Sequence, residues 1–410
     1  MLIEFTIENF RSIKEEVTLS LVASSDKSLD NNLIKADVLN RDNLLRSAVL
    51  YGANASGKSN VLLAFDFLAF LVTKSHHFQK GGKIDISPFK LDEGYLSKPS
   101  KFEVVFIKNN IRYTYGVSIN SEKIIDEYLY YYPKGRKAII FERKDTTDYK
   151  FTMDGNKQKG FSEQTLDNTL YLSRSTQLGY NKTSEAFDWF KDNLHVIGPP
   201  DHLALTDFTV NLLKDEKEII LKAIILSDFG IDDVSAIIKE FTVDNFPVDL
   251  PIELKNLLMR DGSKGTQVKI QTFHKGIPFE FKEESEGTQR IFSLIGPWID
   301  ALKNGRVLIV DELDTKLHHL LNVFLIDLFN DPTQNKNNAQ LIFSTHNTNL
   351  LDQDLFRRDQ IWFTEKNPDL GSTDLYSLVE FSPRKDKDIK KGYLAGRYGA
   401  LPFIKENRIF

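Results

Sequence analysis

Apolar residues occupy alternate positions from Leu2 to Phe10 (Ile3, Phe5, Ile7), and the habit returns from Val17 to Val22. This is the two-residue period of half-buried strands, and the polar Arg11-Ser12 between the runs marks a turn, so the chain opens as an antiparallel pair. Ser47-Ala48-Val49-Leu50-Tyr51 is a short, mostly apolar run that stops at Gly52, and from Ser59 to about Thr73 the spacing becomes helical. Strand patterns return between Ile86 and Tyr149, in Phe102 to Phe106, Tyr113 to Val117 and Ala138 to Phe141, separated by turn signals such as Asn109-Asn110 and Pro133-Lys134-Gly135. From about Ser184 the spacing predicts helices over Ala186 to Leu194, Val210 to Leu226 and Asp233 to Lys239. Gln267 to Thr272 and Phe279 to Phe281 flank His274-Lys275-Gly276 as a hairpin. A helix opening at Ser285 and three apolar strands follow, Val307 to Val310, Leu341 to Phe343 and Ile361 to Phe363. Strands alternating with helices imply an α/β fold with a mixed, mainly parallel sheet, here joined by an N-terminal antiparallel β subdomain and a helical insertion. The expected division is 1–75 for the first part of the core, 76–180 for a β-rich insertion, 181–265 for the helical insertion and 266–410 for the rest of the core.

Composition narrows the chemistry. With 41% hydrophobic and 27% charged residues, the chain has the balance of a folded globular protein rather than a disordered one. There are 0 cysteines, which excludes a thiolate nucleophile, a Cys-ligated zinc or iron-sulfur site and any disulfide, and fits a reducing compartment. Lys plus Arg number 53 against 58 Asp plus Glu, a formal charge of −5, so net charge does not favour DNA as a partner, although a local basic strip stays open. The N-terminus lacks the basic region of a signal peptide. The most apolar stretch, Val61 to Val72, contains Asp66 and falls short of the roughly 20 residues that span a bilayer. The expectation is a cytoplasmic protein with no membrane association.

Gly52-Ala53-Asn54-Ala55-Ser56-Gly57-Lys58-Ser59 fits G-x-x-x-x-G-K-[ST] between an apolar strand and a helix. Such a loop turns its N–H groups and a helix N-terminus towards phosphate. Lys58 then reaches the β- and γ-phosphates of ATP, and the Ser59 hydroxyl ligates Mg²⁺. Val307-Leu308-Ile309-Val310 delivers Asp311 and Glu312 to a strand end. Asp311 is the second expected Mg²⁺ group, and Glu312 the group that orients and polarises the attacking water. Glu284-Ser285-Glu286-Gly287-Thr288-Gln289-Arg290 opens an apolar helix, and Ser285 with Gly287 there makes a further anion site. His346 follows the apolar Leu341-Ile342-Phe343 on the same expected sheet edge. Taken alone a histidine is as often structural as functional; the order of the four elements favours function.

Together these segments resemble the ABC-type ATPase heads of the SMC, RecF and OLD kind. The similarity also covers the opening Phe5-Thr6-Ile7-Glu8-Asn9-Phe10-Arg11-Ser12 and Asn60 after the loop. The resemblance implies that two heads pack head to tail around two ATP molecules, with Ser285 and Gly287 of one touching the γ-phosphate at the partner's loop. It implies a nucleotide site of Gly52, Asn54, Ser56, Gly57, Lys58, Ser59 and Asn60, and a γ-phosphate-sensing His346. Narrower similarity comes from Glu283 to Arg290, Asp311-Glu312-Leu313-Asp314 with Leu317-His318, Ser87 to Asp92, and Tyr393 to Pro402. These look like the RloA and abortive-infection ATPases of bacterial antiphage defence. That likeness implies a homodimer or higher oligomer, a separately encoded TOPRIM nuclease as partner and a phage product as trigger. His318 stands where related proteins carry an aspartate, and Gln79 is a weak candidate for the glutamine such sites use.

Two other classes compete. A RecF- or SMC-like DNA clamp would share the site, but the interval from Ser59 to Ser285 mixes strands and short helices and leaves little room for long arms. A self-contained nuclease would need an Asp-x-Asp on a strand. Asp386-Lys387-Asp388 sits in a charged run without one, and reads as a solvated face. The cluster Tyr393, Arg397, Tyr398 and Phe403 is a candidate docking element, weighed evenly against simple packing on the core.

Overall fold

The computed structural model describes residues 1–39, 42–198, 202–227, 229–241, 265–383 and 387–402. The chain divides into two compact units, 1–199 with 301–315 and 322–410, and 200–300 with 316–321.

The first unit holds two large sheets. One is antiparallel and seven-stranded, in the order Asp148–Phe151, Ala138–Lys144, Ile124–Tyr131, Ile111–Ile119, Ser100–Lys108, Leu2–Glu8 and Val17–Ser20. Its inward residues alternate along the strands as the two-residue period dictates, and Phe5, Phe102, Val104, Tyr115 and Leu129 are all buried. The other has the order Leu194–Ile197, Val307–Val310, Gln340–Ser344, Ser47–Tyr51, Ile361–Lys366 and Thr373–Ser377. Its first five strands run parallel and only Thr373–Ser377 is antiparallel. The Val307–Val310, Gln340–Ser344 and Ser47–Tyr51 strands are buried along their whole length, as expected of central strands covered on both faces.

Helix Lys58–Lys74 contributes Val61, Leu62, Phe65, Leu68 and Val72 to a core that also contains Phe5 and Val104 of the antiparallel sheet and Ile309 and Ile342 of the parallel one. Phe5 stacks on Phe65 with ring centroids 3.8 Å apart. The helix therefore fixes the parallel strand ends to the N-terminal sheet. A buried ion pair anchors that sheet further. Arg143 lies 3.7 Å from Glu127, and the Glu127 carboxylate accepts from Tyr171 N–H, Leu172 N–H and the Tyr115 hydroxyl at 2.6, 2.9 and 3.0 Å.

The second unit contains helix His202–Leu226, a three-stranded antiparallel sheet and most of helix Glu286–Asn304. The hairpin expected around His274 to Gly276 is present as Gly265–His274 and Ile277–Glu280. Asp233–Phe241, by contrast, is a strand paired with Gly265–His274 over nine residue pairs, where a helix was expected over Asp233 to Lys239. Val234, Ile237 and Ile238 are β-branched, and ladder pairing to a neighbour from over twenty residues downstream outweighs a short helical spacing. Pro297 lies inside Glu286–Asn304 and cannot donate to the Ser293 carbonyl one turn back. The Thr209 hydroxyl donates to that carbonyl instead, at 3.3 Å.

Candidate functional site

The loop after Ser47–Tyr51 is built by its two glycines. At Gly52 a Cβ would run into the Thr364 carbonyl and the Ser56 hydroxyl, and at Gly57, which has φ +112°, it would run into the Thr373 side chain. Only glycine fits either position. Behind the loop lies a chain of hydroxyls. Ser56 and Thr364 share a hydrogen bond at 2.6 Å, the Thr373 hydroxyl donates to the Ser56 carbonyl at 2.8 Å and pairs with Ser12 at 2.7 Å, and Asn60 Nδ2 donates to Ser12 Oγ at 2.6 Å. The first turn of the chain, the P-loop and the antiparallel edge strand are thus tied together. Asn54 and Ala55 at the loop tip are exposed and Ser59 is half-buried.

Lys58 begins the helix and is 6% exposed. Its ammonium donates to the carbonyls of Gly52 at 2.8 Å and Ala53 at 3.2 Å, which holds the charge over the loop. Burial pushes its pKa down, and the carboxylates of Asp311, Glu312 and Asp314 pull the other way. Asp311 is buried at the end of Val307–Val310. It accepts a hydrogen bond from the Ser344 hydroxyl at 2.5 Å, while the same hydroxyl accepts from Glu312 N–H at 2.8 Å. Glu312 is exposed and left-handed, with φ 50°. The His346 N–H faces both carboxylate oxygens of Asp314 at 3.4 Å. Partial burial and then the Lys58 ammonium lower the His346 pKa, against opposing pulls from Asp314, Glu312 and Asp311.

Lys58, Asp311, Glu312 and His346 therefore meet at one edge of the parallel sheet. A cavity of about 650 Å³ lies beside them, lined by Gly52, Asn54, Ser56, His346, Lys366 and Tyr393 among others, and His346 is the one of the four that borders it. Its volume is that of a small-ligand site. Among the described residues no group of three or more His, Cys, Asp or Glu could enclose a metal by itself. Mg²⁺ at phosphate sites is held by one or two protein oxygens together with phosphate and water, and the Ser59 hydroxyl and the Asp311 carboxylate are oxygen donors of that kind.

Ser285 and Gly287 lie in the second unit. The Ser285 hydroxyl accepts from Thr288 N–H at 3.1 Å, the bond of a helix N-cap, and a Cβ at Gly287 would stand 3.2 Å from the Lys316 carbonyl. His318 Nδ1 accepts from Leu320 N–H at 3.3 Å. Gln79 is engaged through its backbone carbonyl, which accepts from Asn168 at 2.9 Å. The aromatic residues of the C-terminal segment turn inward. Tyr393 and Tyr398 are buried and stack on Phe363, and Tyr376 donates to the Tyr398 carbonyl at 2.9 Å. Packing, not display, accounts for both tyrosines; Arg397 is exposed, and Phe403 lies outside the described residues.

Sequence reasoning missed Ser344, Thr364 and Thr373. Single hydroxyls at strand ends carry no spacing signal, and only the order of the strands brings them to the loop.

Residues 47–352 match the family described as "AAA domain, putative AbiEii toxin, Type IV TA system", and the chain belongs to that family of P-loop ATPase domains. No curated protein matches significantly. Among solved structures, the chain is similar to an Smc head bound to the C-winged helix domain of ScpA, at 14% identity and a TM-score of 0.45, over 93% of this chain and 99% of that one. It is also similar to the SMC head domain from Thermotoga maritima, at 13% identity and a TM-score of 0.41, over 92% and 98% of the two chains. Among the described residues no helix is long and apolar enough to cross a membrane.

Proposed function

We propose, from the premise that the chain is a member of this P-loop ATPase family, that it hydrolyses ATP and uses the nucleotide state to control a separate effector in antiviral defence. The observation that carries the ATPase reading is the meeting of Lys58, Asp311, Glu312 and His346 on one sheet edge beside the P-loop. The loop N–H groups and Lys58 would bind the phosphate chain, and Ser59 and Asp311 would hold Mg²⁺, which neutralises phosphate charge when bound. Glu312, exposed at the strand end, would accept the proton side of an attacking water and set its line of approach. His346, whose pKa is lowered by partial burial and then by the Lys58 ammonium, would form a hydrogen bond at the γ-phosphate.

Ser285 and Gly287 belong to the other unit, and we place them at the γ-phosphate of a second copy in a head-to-tail dimer. Mixing Lys58→Ala with Ser285→Arg protomers leaves one intact composite site per mixed dimer, so activity should partly return. If mixed dimers form and stay as inactive as each variant alone, the head-to-tail site is wrong.

The defence reading draws on the family's description, "putative AbiEii toxin, Type IV TA system", and the effector reading rests on the sequence resemblance to antiphage ATPases alone. We assign the output to a TOPRIM-type nuclease encoded nearby, retained or released according to nucleotide state, with a phage product as trigger. Co-expression pulldown with the neighbouring gene product, with and without ATP in a Glu312→Gln background, should recover a nucleotide-dependent complex. Recovery of no partner, together with ATP-dependent clamping of DNA by the protein alone, would replace this with the RecF-like repair reading.

A further inference from the structure

Ser344 closes the strand Gln340–Ser344 and is fully buried. Val310 pairs in register with Phe343, so the next residues along the two parallel strands, Asp311 and Ser344, stand side by side where both leave the sheet. The serine hydroxyl is used in both directions. It donates to Asp311 Oδ1 at 2.5 Å and accepts from Glu312 N–H at 2.8 Å, and the Ser344 carbonyl accepts from Leu313 N–H at 3.1 Å. Two residues further on, the His346 N–H faces the Asp314 carboxylate.

We infer that Ser344 is a positioning residue for both acidic groups of the site. This rests on the ATPase reading above and assigns a role to a side chain within it. The donated bond fixes the Asp311 carboxylate rotamer and leaves its other oxygen for Mg²⁺. The accepted bond supports the backbone of Glu312 in its left-handed conformation, φ 50°, which residues with a Cβ adopt uncommonly. Without the hydroxyl, a buried carboxylate oxygen and the Glu312 N–H both lose their partner, and the Glu312 side chain loses its aim. The same strand end carries His346, so a shift of His346 at the γ-phosphate would reach Asp311 and Glu312 through one residue. Ser344 touches no reacting atom, and its action is through the two carboxylates.

The test compares Ser344→Ala with Ser344→Thr, which keeps a hydroxyl at a strand position that suits a β-branched residue. In Ser344→Ala, kcat should fall by roughly 10- to 100-fold, the worth of one hydrogen bond to a charged group. The Mg²⁺ concentration for half-maximal rate should rise, and Ser344→Thr should restore most of the loss. A second readout needs no turnover. The gain in affinity for a fluorescent ATP analogue on adding Mg²⁺ should shrink in the alanine variant and persist in the threonine variant. Equal kcat and an equal Mg²⁺ gain in wild type and Ser344→Ala would overturn the assignment, and so would losses that track melting temperature and are not rescued by threonine. A wild-type protein that binds ATP but never hydrolyses it contradicts the ATPase reading, and the binding arm then decides on Ser344 by itself.

Discussion

Thr373 donates its side-chain hydroxyl to the carbonyl of Ser56 at 2.8 Å, so the antiparallel edge strand holds the P-loop from behind. The same side chain blocks any Cβ at Gly57. Thr373→Ala should cost about 1 kcal/mol of stability, the usual worth of a neutral hydrogen bond. Gly57→Ala should cost more, since it adds a clash to a left-handed φ of 112° and deforms the loop. The double variant should bind ATP better than Gly57→Ala alone, because alanine at 373 removes the Oγ1 and Cγ2 that a Cβ at position 57 would strike, though the close approach to the Cβ of residue 373 at 2.9 Å and the backbone strain stay. Nucleotide titration of the three variants checks this, and strict additivity would contradict it.

The buried pair in the N-terminal sheet is a stability element. Burial raises the Glu127 pKa, while Arg143 and the Leu172 and Tyr171 N–H groups oppose the rise. Glu127→Ala leaves Arg143 buried without its carboxylate, and a broken buried pair typically costs about 3–5 kcal/mol. Chemical denaturation should show the loss. ATP affinity of the protein that remains folded should be unchanged within about three-fold, because neither residue reaches the loop.

His346 gives a pH prediction with a defined sign. Its folded pKa lies below the ordinary 6.5, through partial burial first and the Lys58 ammonium second. The folded protein therefore takes up this proton at lower pH than the unfolded chain. The contribution of the neutral ring to stability is present above pH 6.5 and is lost as pH falls through the folded midpoint. In an NMR titration the His346 ring should titrate below 6.5, move up towards that value in Lys58→Ala, and move further down in Glu312→Gln. A midpoint indifferent to Lys58 would separate the two residues.

The P-loop, the Asp311-Glu312 strand end and His346 were legible in the sequence because each sits on an apolar run with a sharp boundary, and the parallel sheet places all three at one edge. The N-terminal pair and the hairpin around Lys275 were legible from the alternation of their apolar residues. What periodicity could not supply was strand order. Only the insertion of Gln340–Ser344 between Val307–Val310 and Ser47–Tyr51 puts Ser344 against Asp311, and only the edge position of Thr373–Ser377 puts Thr373 behind Ser56. Asp233–Phe241 was misread because its pairing partner lies far along the chain. Tyr393 and Tyr398 carried an interface composition, yet their rings complete the aromatic layer on Phe363.

The most direct measurement is of purified wild type and Glu312→Gln, loaded with ATP and Mg²⁺ and followed for phosphate release and for nucleotide retained. With Glu312 aiming the attacking water, Glu312→Gln should keep ATP bound and release phosphate about 10²- to 10⁴-fold more slowly. Wild-type turnover in Glu312→Gln would contradict the assignment of the catalytic edge.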